Sequence, residues 1–262
     1  MQEQKIYGRR DGAVGHLVFN NPAKLNAVSL DMWDAFVGLL KDYEKDPGVR
    51  CVVVSGAGGK AFVSGADISK FESERANAEA QVRYDAISKA GYEGLYNFSK
   101  PTIAKITGYC IGGGMNLAAC CDMRYCNEGA RFGVPAAKLG LGYGYPGLKR
   151  LVDVVGASFA MEIFYTARQF TAAEALAMGL VNRVVPDGEL ESFVKSYADM
   201  IAGNAPLTIK ALKTVVGELV KDESKRDVAR MQDVVNTCFR SKDYIEGRDA
   251  FMEKRKPVFT GT

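Results

Sequence analysis

Apolar and polar residues alternate with a period of two at the start of the chain. Ile6-Tyr7-Gly8-Arg9-Arg10 and Val14 to Phe19 flank Asp11-Gly12, which predicts a β-hairpin. Asn20-Asn21-Pro22 breaks the second strand. Beyond Ser29 the period changes: Met32, Phe36, Leu39, Leu40 and Tyr43 recur at helical spacing, predicting a helix capped by Ser29 and ended by Pro47-Gly48. The unbroken apolar run Cys51 to Val54 reads as a buried strand. After Gly56-Ala57-Gly58-Gly59 and Ala61 to Asp67, a polar helix is predicted from about Glu74 to Phe98, carrying Val82, Tyr84, Ile87, Ala90, Tyr92 and Leu95. Thr102 to Ile106 resumes the strands, and strand and helix signals interleave through Phe132, Leu141 and Val154-Val155. From Asp187 only helical signals remain, with Pro206 and Ser241-Lys242-Asp243 placed to start two helices. The expected organisation is an α/β core over residues 1–190 and a helical region over 191–262.

Composition narrows the chemistry. With 262 residues the chain buries roughly 70–75% of its unfolded surface, enough for a large core without staples. The net charge of +3 is spread along the chain apart from Lys254-Arg255-Lys256, so no nucleic-acid footprint is expected. No apolar run reaches the ~20 residues that cross a bilayer, and Met1 to Lys5 lacks the features of a cleaved leader, so a cytoplasmic protein is expected. The single histidine, His16, excludes multi-histidine metal sites. It lies within a predicted strand, and without a G-x-S-x-G elbow a structural role is expected for it. Cys51, Cys110, Cys120, Cys121, Cys126 and Cys238 form no C-x-x-C pair and sit among apolar residues, as buried free thiols in a reducing compartment would.

Gly112-Gly113-Gly114 lies between a predicted strand and an apolar helix. Three glycines at a helix start make a site for an anion or oxyanion, or allow backbone to pack closely on backbone. Gly142-Tyr143-Gly144-Tyr145-Pro146-Gly147 satisfies G-x-G-x-x-G, but neither a preceding strand nor an opening helix is expected around it, so dinucleotide binding is not.

Asn21-Pro22-Ala23-Lys24-Leu25-Asn26-Ala27, Ala61 to Ile68, Gly108 to Gly114, Cys121-Asp122-Met123-Arg124 and Phe251-Met252-Glu253-Lys254-Arg255 together resemble the successive signatures of the enoyl-CoA hydratase/isomerase (crotonase) superfamily. They occur in order and span essentially the whole chain. The resemblance implies a crotonase-like spiral core of repeated β-β-α units with a helical C-terminal trimerisation region. It also implies a homotrimer or dimer of trimers, acyl-CoA thioester substrates, and no cofactor beyond the CoA moiety and no metal. The donors that polarise the thioester carbonyl would be the N–H groups of Ala66 and Gly113. CoA would meet Lys24, Leu25, Ala27, Ala66, Asp67 and Ile68, with Phe251 and Lys254 reaching the nucleotide of a neighbouring subunit. The two lysines suit phosphate charge; solvated surface lysines are the alternative.

The chain departs from the family where its hydratases carry two glutamates, which here are Asn116 and Ala136. A third position, an aspartate in dienoyl isomerases and dehalogenases, is Gly144. An amide accepts no proton at neutral pH and alanine has none to exchange. The remaining proton-bearing side chains are Tyr143 and Tyr145, and malonyl-type decarboxylases of the superfamily place a tyrosine at the position of Tyr143. Both could instead line the acyl pocket. Three functions are therefore expected to compete: an acyl-CoA enzyme that uses the enolate without the glutamate pair, a malonyl-type decarboxylase relying on Tyr143, and a CoA-ester binding protein without catalysis. Glu162 is a further carboxylate that could turn into the pocket.

Overall fold

Strands β1 (Ile6–Asp11) and β2 (Val14–Phe19) pair antiparallel, Ile6 opposite Phe19 and Asp11 opposite Val14. Asp11 is thus the last rung of the ladder, and the turn is Gly12-Ala13 rather than the expected Asp11-Gly12. Gly12 takes φ +58°, a conformation that a side chain resists. The computed structural model describes residues 4–70 and 76–262.

Helix α1 (Leu30–Lys45) turns Met32, Trp33, Phe36 and Leu40 inward. Ser29 holds its N-cap position, but the hydroxyl bonds the Asp31 carboxylate and not a backbone N–H, so the expected cap bond is absent. Strands β3 (Cys51–Gly56) and β4 (Ala61–Val63) lead to α2 (Ala78–Tyr96). That helix is capped by Asn77, whose Oδ1 accepts from Ala80 N–H at 2.8 Å, and it ends before the expected Phe98. The start expected at Glu74 lies outside the described residues. Strands β5 (Thr102–Ile106) and β6 (Tyr109–Ile111) lead to α3 (Gly113–Ala119), and β7 (Met123–Asn127) and β8 (Arg131–Gly133) to α4 (Tyr145–Thr166). There follow β9 (Phe170–Thr171), α5 (Ala172–Ala177) and β10 (Arg183–Val185).

This is a β-β-α repeat, and in each of the three middle units the first strand joins one sheet and the second another. The larger sheet has the order β1-β2-β3-β5-β7-β10, parallel except at the β1–β2 edge; the smaller runs β4-β6-β8-β9. Phe19, Phe36, Phe62, Phe132 and Phe170 are fully buried in the core. Helix α4 corrects one expectation: Gly144 is its N-cap and Pro146 lies in its first turn, so the Gly142 to Gly147 stretch does open a helix. Proline is tolerated there because its missing N–H would be unpaired anyway. The preceding element is a short 3-10 turn, Pro135–Leu139, not a strand, so the dinucleotide geometry is not formed.

Helix α6 (Leu190–Gly203) spans the expected boundary at residue 190. It packs Val194 and Ala198 onto Val53, Ile103 and Tyr125 of the larger sheet, so the helical region begins inside the core. Helices α7 (Pro206–Leu219), α8 (Val228–Phe239) and α9 (Lys242–Met252) follow, two of them starting at the expected Pro206 and Ser241. The irregular segment after α9 is tied back to the core by Arg50 Nη2, which donates to Phe259 O at 2.7 Å. No described helix is long and apolar enough to cross a membrane.

Candidate functional site

The glycine triplet resolves into three different requirements. Gly112 leaves β6 at φ +56°. A Cβ on Gly114 would stand 1.9 Å from the carbonyl oxygen of Val63, so this glycine lets α3 pack directly on β4. Gly113 opens α3, and its N–H is one of the helix's unpaired first-turn donors. Close packing and a free donor thus coexist in the triplet, one residue apart.

Ala66 is placed by an isolated parallel bridge to Val28. Val28 N–H donates to Gly65 O and Asp67 N–H donates to Val28 O, both at 2.9 Å. In a parallel bridge those bonds use the neighbours of the bridging residue, so the Ala66 N–H points the other way. Among the described residues nothing accepts from Ala66 N–H or Gly113 N–H. The two peptides are adjacent: a Cβ on Gly65 would lie 3.7 Å from Gly113 N. Two neighbouring, unspent donors on one cleft can act as an electrostatic trap for negative charge developing on oxygen.

Both open into a cleft of about 730 Å³ between α2, α3 and the start of α4. Of the expected pocket residues, Asn116, Ala136, Tyr143 and Gly144 line it, with Ala66, Gly113 and Ile68. Tyr145 does not. As the first residue of α4 it is turned outward and is 76% exposed. Gly147 brings Asn116 and Tyr143 together, since a Cβ there would sit 3.3 Å from Asn116 Oδ1 and 3.0 Å from Tyr143 Cε1. The Tyr143 ring packs edge-on to Phe164, centroids 4.8 Å apart. Burial, with the Cys120 thiol beside it, pushes the Tyr143 phenol up to about 12. Burial likewise pushes the neighbouring Tyr92 phenol well up, and its hydroxyl donates to Gly113 O at 3.2 Å.

Among the described residues Asp85 is the one carboxylate on the cleft; it is exposed and accepts from Gln81 Nε2 at 2.8 Å. Glu162 is not on it, being held by Arg168 Nη2 at 3.0 Å. The cysteines offer no nucleophile. Five are buried and free, and burial pushes the thiols of Cys51, Cys120 and Cys126 up to about 12.

Lys24, Leu25, Ala27 and Asp67 gather behind the Ala66 segment, where Ser64 N–H donates to Leu25 O at 3.1 Å. Lys24 is not a free cation: Nζ donates to Asp67 Oδ2 at 2.9 Å and to Ser69 Oγ at 2.6 Å. Phe251, 82% exposed, and Lys254, at φ +54°, lie at the end of α9 and do not line this cleft. Sequence reasoning missed Trp33, Ser88 and Arg150 as lining residues, and took Tyr84 and Tyr92 only as a helix's apolar stripe. Trp33 Nε1 and Asn116 Oδ1 are the buried side-chain polar atoms without a partner among the described residues, and both residues line this cleft.

Residues 9–262 match the family model described as enoyl-CoA hydratase/isomerase. The chain is 33% identical over 256 residues to the short-chain-enoyl-CoA hydratase of Clostridium acetobutylicum, covering 98% of this chain and 97% of that protein. It is 35% identical over 260 residues to the peroxisomal Delta(3,5)-Delta(2,4)-dienoyl-CoA isomerase of Arabidopsis thaliana, covering 95% and 93%. Its fold superposes with a TM-score of 0.94 on an enoyl-CoA hydratase/carnithine racemase from Magnetospirillum magneticum, at 37% identity and covering 100% and 97% of the two chains.

Proposed function

Because the chain belongs to the enoyl-CoA hydratase/isomerase family, of crotonase fold, we propose that it turns over an acyl-CoA thioester whose carbonyl oxygen rests between the N–H groups of Ala66 and Gly113. The observation that carries this reading is the pair of adjacent, unspent donors at the head of the cleft. As the enolate forms, charge moves onto that oxygen, where each donor is worth about 3–4 kcal/mol of transition-state stabilisation. Lys24, Leu25, Ala27, Asp67 and Ile68 border the CoA path, with Lys24 leaving Asp67 for phosphate. Phe251 and Lys254 serve a neighbouring subunit in a homotrimer or dimer of trimers. The exposed apolar residues of the C-terminal helices, among them Phe239 and Phe251, support that assembly, and the free thiols suit a cytoplasmic location.

The step after enolate formation does not use paired carboxylates. Asn116 orients a water or a polar substituent through Oδ1, and Tyr143, which keeps its proton at neutral pH, delivers it to the α-carbon. A second reading, decarboxylation of a malonyl-type thioester, is favoured by the same pairing of Tyr143 with Asn116, because loss of CO2 generates the enolate without a base. Calorimetry and a hydration assay test the proposal together. Butyryl-CoA is expected to give saturable binding heat. Crotonyl-CoA is expected to be hydrated orders of magnitude more slowly than by a two-glutamate hydratase, since each acid–base group contributes about 10²–10⁴-fold. Absence of heat with every thioester would sink the acyl-CoA reading, and hydration at a two-glutamate rate would sink the argument from Asn116 and Ala136.

A further inference from the structure

Among the described residues two arginines are buried, and they are satisfied in different ways. Arg124 donates from Nε to Leu180 O at 2.7 Å and from Nη1 to Cys121 O at 2.6 Å and Ala118 O at 3.4 Å. Arg150, 8% exposed, donates to no carboxylate or carbonyl oxygen of the described residues. Its guanidinium carbon lies 4.8 Å from the centroid of the Tyr96 ring, and it meets the Cys120 thiol. Charged side chains are seldom buried unless paired, because desolvating an unpaired ion costs several kcal/mol. Arg150 lines the cleft, so an anion entering there would meet its guanidinium.

Its position along the cleft follows from the register of α3 and α4. On α3 Gly113 and Asn116 line the cleft, and the buried Cys120 caps the end of the helix. On α4 Gly147 faces Asn116, and one turn further Arg150 meets Cys120. At 1.5 Å per residue, Cys120 is about 10 Å along the helix axis from the Gly113 donor. The cleft therefore has an oxyanion-binding end and a cationic end, with the unpartnered Asn116 Oδ1 between them. A plain hydrocarbon chain would leave the guanidinium unmatched.

Resting on the acyl-CoA reading above, we infer that Arg150 anchors a carboxylate at the far end of the acyl chain, which makes the substrate class a dicarboxylic acyl-CoA. The planar guanidinium can grip a carboxylate through two parallel N–H bonds, and the Tyr96 ring beneath it holds the plane in place. Lys89, the other cation on the cleft among the described residues, is exposed and lies 3.8 Å from Glu93, so it does not compete for this role.

Calorimetry on the full chain compares adipyl-CoA and glutaryl-CoA with hexanoyl-CoA and pentanoyl-CoA, their methyl-ended counterparts of equal length. The protein is expected to bind the better diacid thioester about 10-fold or more tighter than its counterpart, the effect of one charge-assisted contact. Arg150→Met is expected to abolish that preference while leaving the methyl-ended thioesters nearly unchanged, and Arg150→Lys to retain part of it. Equal binding of both classes by the unmodified protein, or an equal loss on both in Arg150→Met, overturns the inference and leaves Arg150 a packing residue over Tyr96. Should Arg150→Met not fold, an undiminished diacid preference in Arg150→Lys overturns it. Binding of hexanoyl-CoA without any preference contradicts this inference alone. Binding of none of the four contradicts the acyl-CoA reading beneath it as well.

Discussion

Burial, with Cys120 alongside, pushes the Tyr143 phenol up to about 12, so the group keeps its proton at neutral pH. Asn116 and Ala136, where a hydratase would hold its two carboxylates, neither give nor take a proton at neutral pH. Tyr143→Phe keeps the ring that packs on Phe164 and removes the hydroxyl alone. Turnover of a substituted malonyl-CoA is expected to fall by about 10²-fold or more in this variant, with an unaltered thermal transition. Unchanged turnover would take Tyr143 out of the mechanism. Ala66, Gly113, Asn116, Ala136 and Tyr143 were named through the family resemblance, and all five line one cleft. Arg150 and Trp33 were not legible in the sequence, because helical spacing tells which residues share a face but not whether that face meets core or cleft. Tyr145 failed for the opposite reason, since one residue along a helix start turns a side chain through about 100°.

Among the elements, β2 carries a group whose titration reports on the whole sheet. Burial lowers His16 to about 4, with Arg9 and Lys105 adding to the effect, so the folded protein keeps it neutral. Between the ordinary value of 6.5 and about 4 the unfolded chain binds a proton that the folded chain refuses. Stability in that window therefore falls as pH falls. Urea unfolding at pH 7 and pH 5 checks this: the midpoint of the unmodified protein should drop more than that of His16→Gln, and parallel drops would contradict it. The hairpin, β3, β5 and the starts of α7 and α9 follow from periodicity and capping chemistry read locally. Ser29 shows where such reading stops, because Asp31 competes successfully for the hydroxyl meant for the helix end. The opening of α4 at Tyr145 was hidden by Pro146, a helix breaker in mid-element but a compatible residue in the first turn.

At the scale of the molecule, β-β-α repetition brings Ala66 and Gly113 together from segments separated by a complete helix. Sequence pattern foretold the alternation of strands and helices, and the order of the motifs foretold the fold. That α6 belongs to the core could not be read, since its apolar residues find their partners on β3, β5 and β7, far away along the chain. The C-terminal helices expose apolar residues such as Phe239 and Phe251, and α8 buries none of its residues within one chain. The proposed function rests on one electrostatic device, the polarisation of a thioester carbonyl by two backbone donors. Isotope-edited infrared difference spectroscopy of butyryl-CoA labelled at the carbonyl carbon reads that device directly. Bound thioester is predicted to show its carbonyl stretch shifted to lower frequency than in water, as two preorganised N–H groups draw electron density onto the oxygen. A bound carbonyl that absorbs at or above its frequency in water would contradict the account.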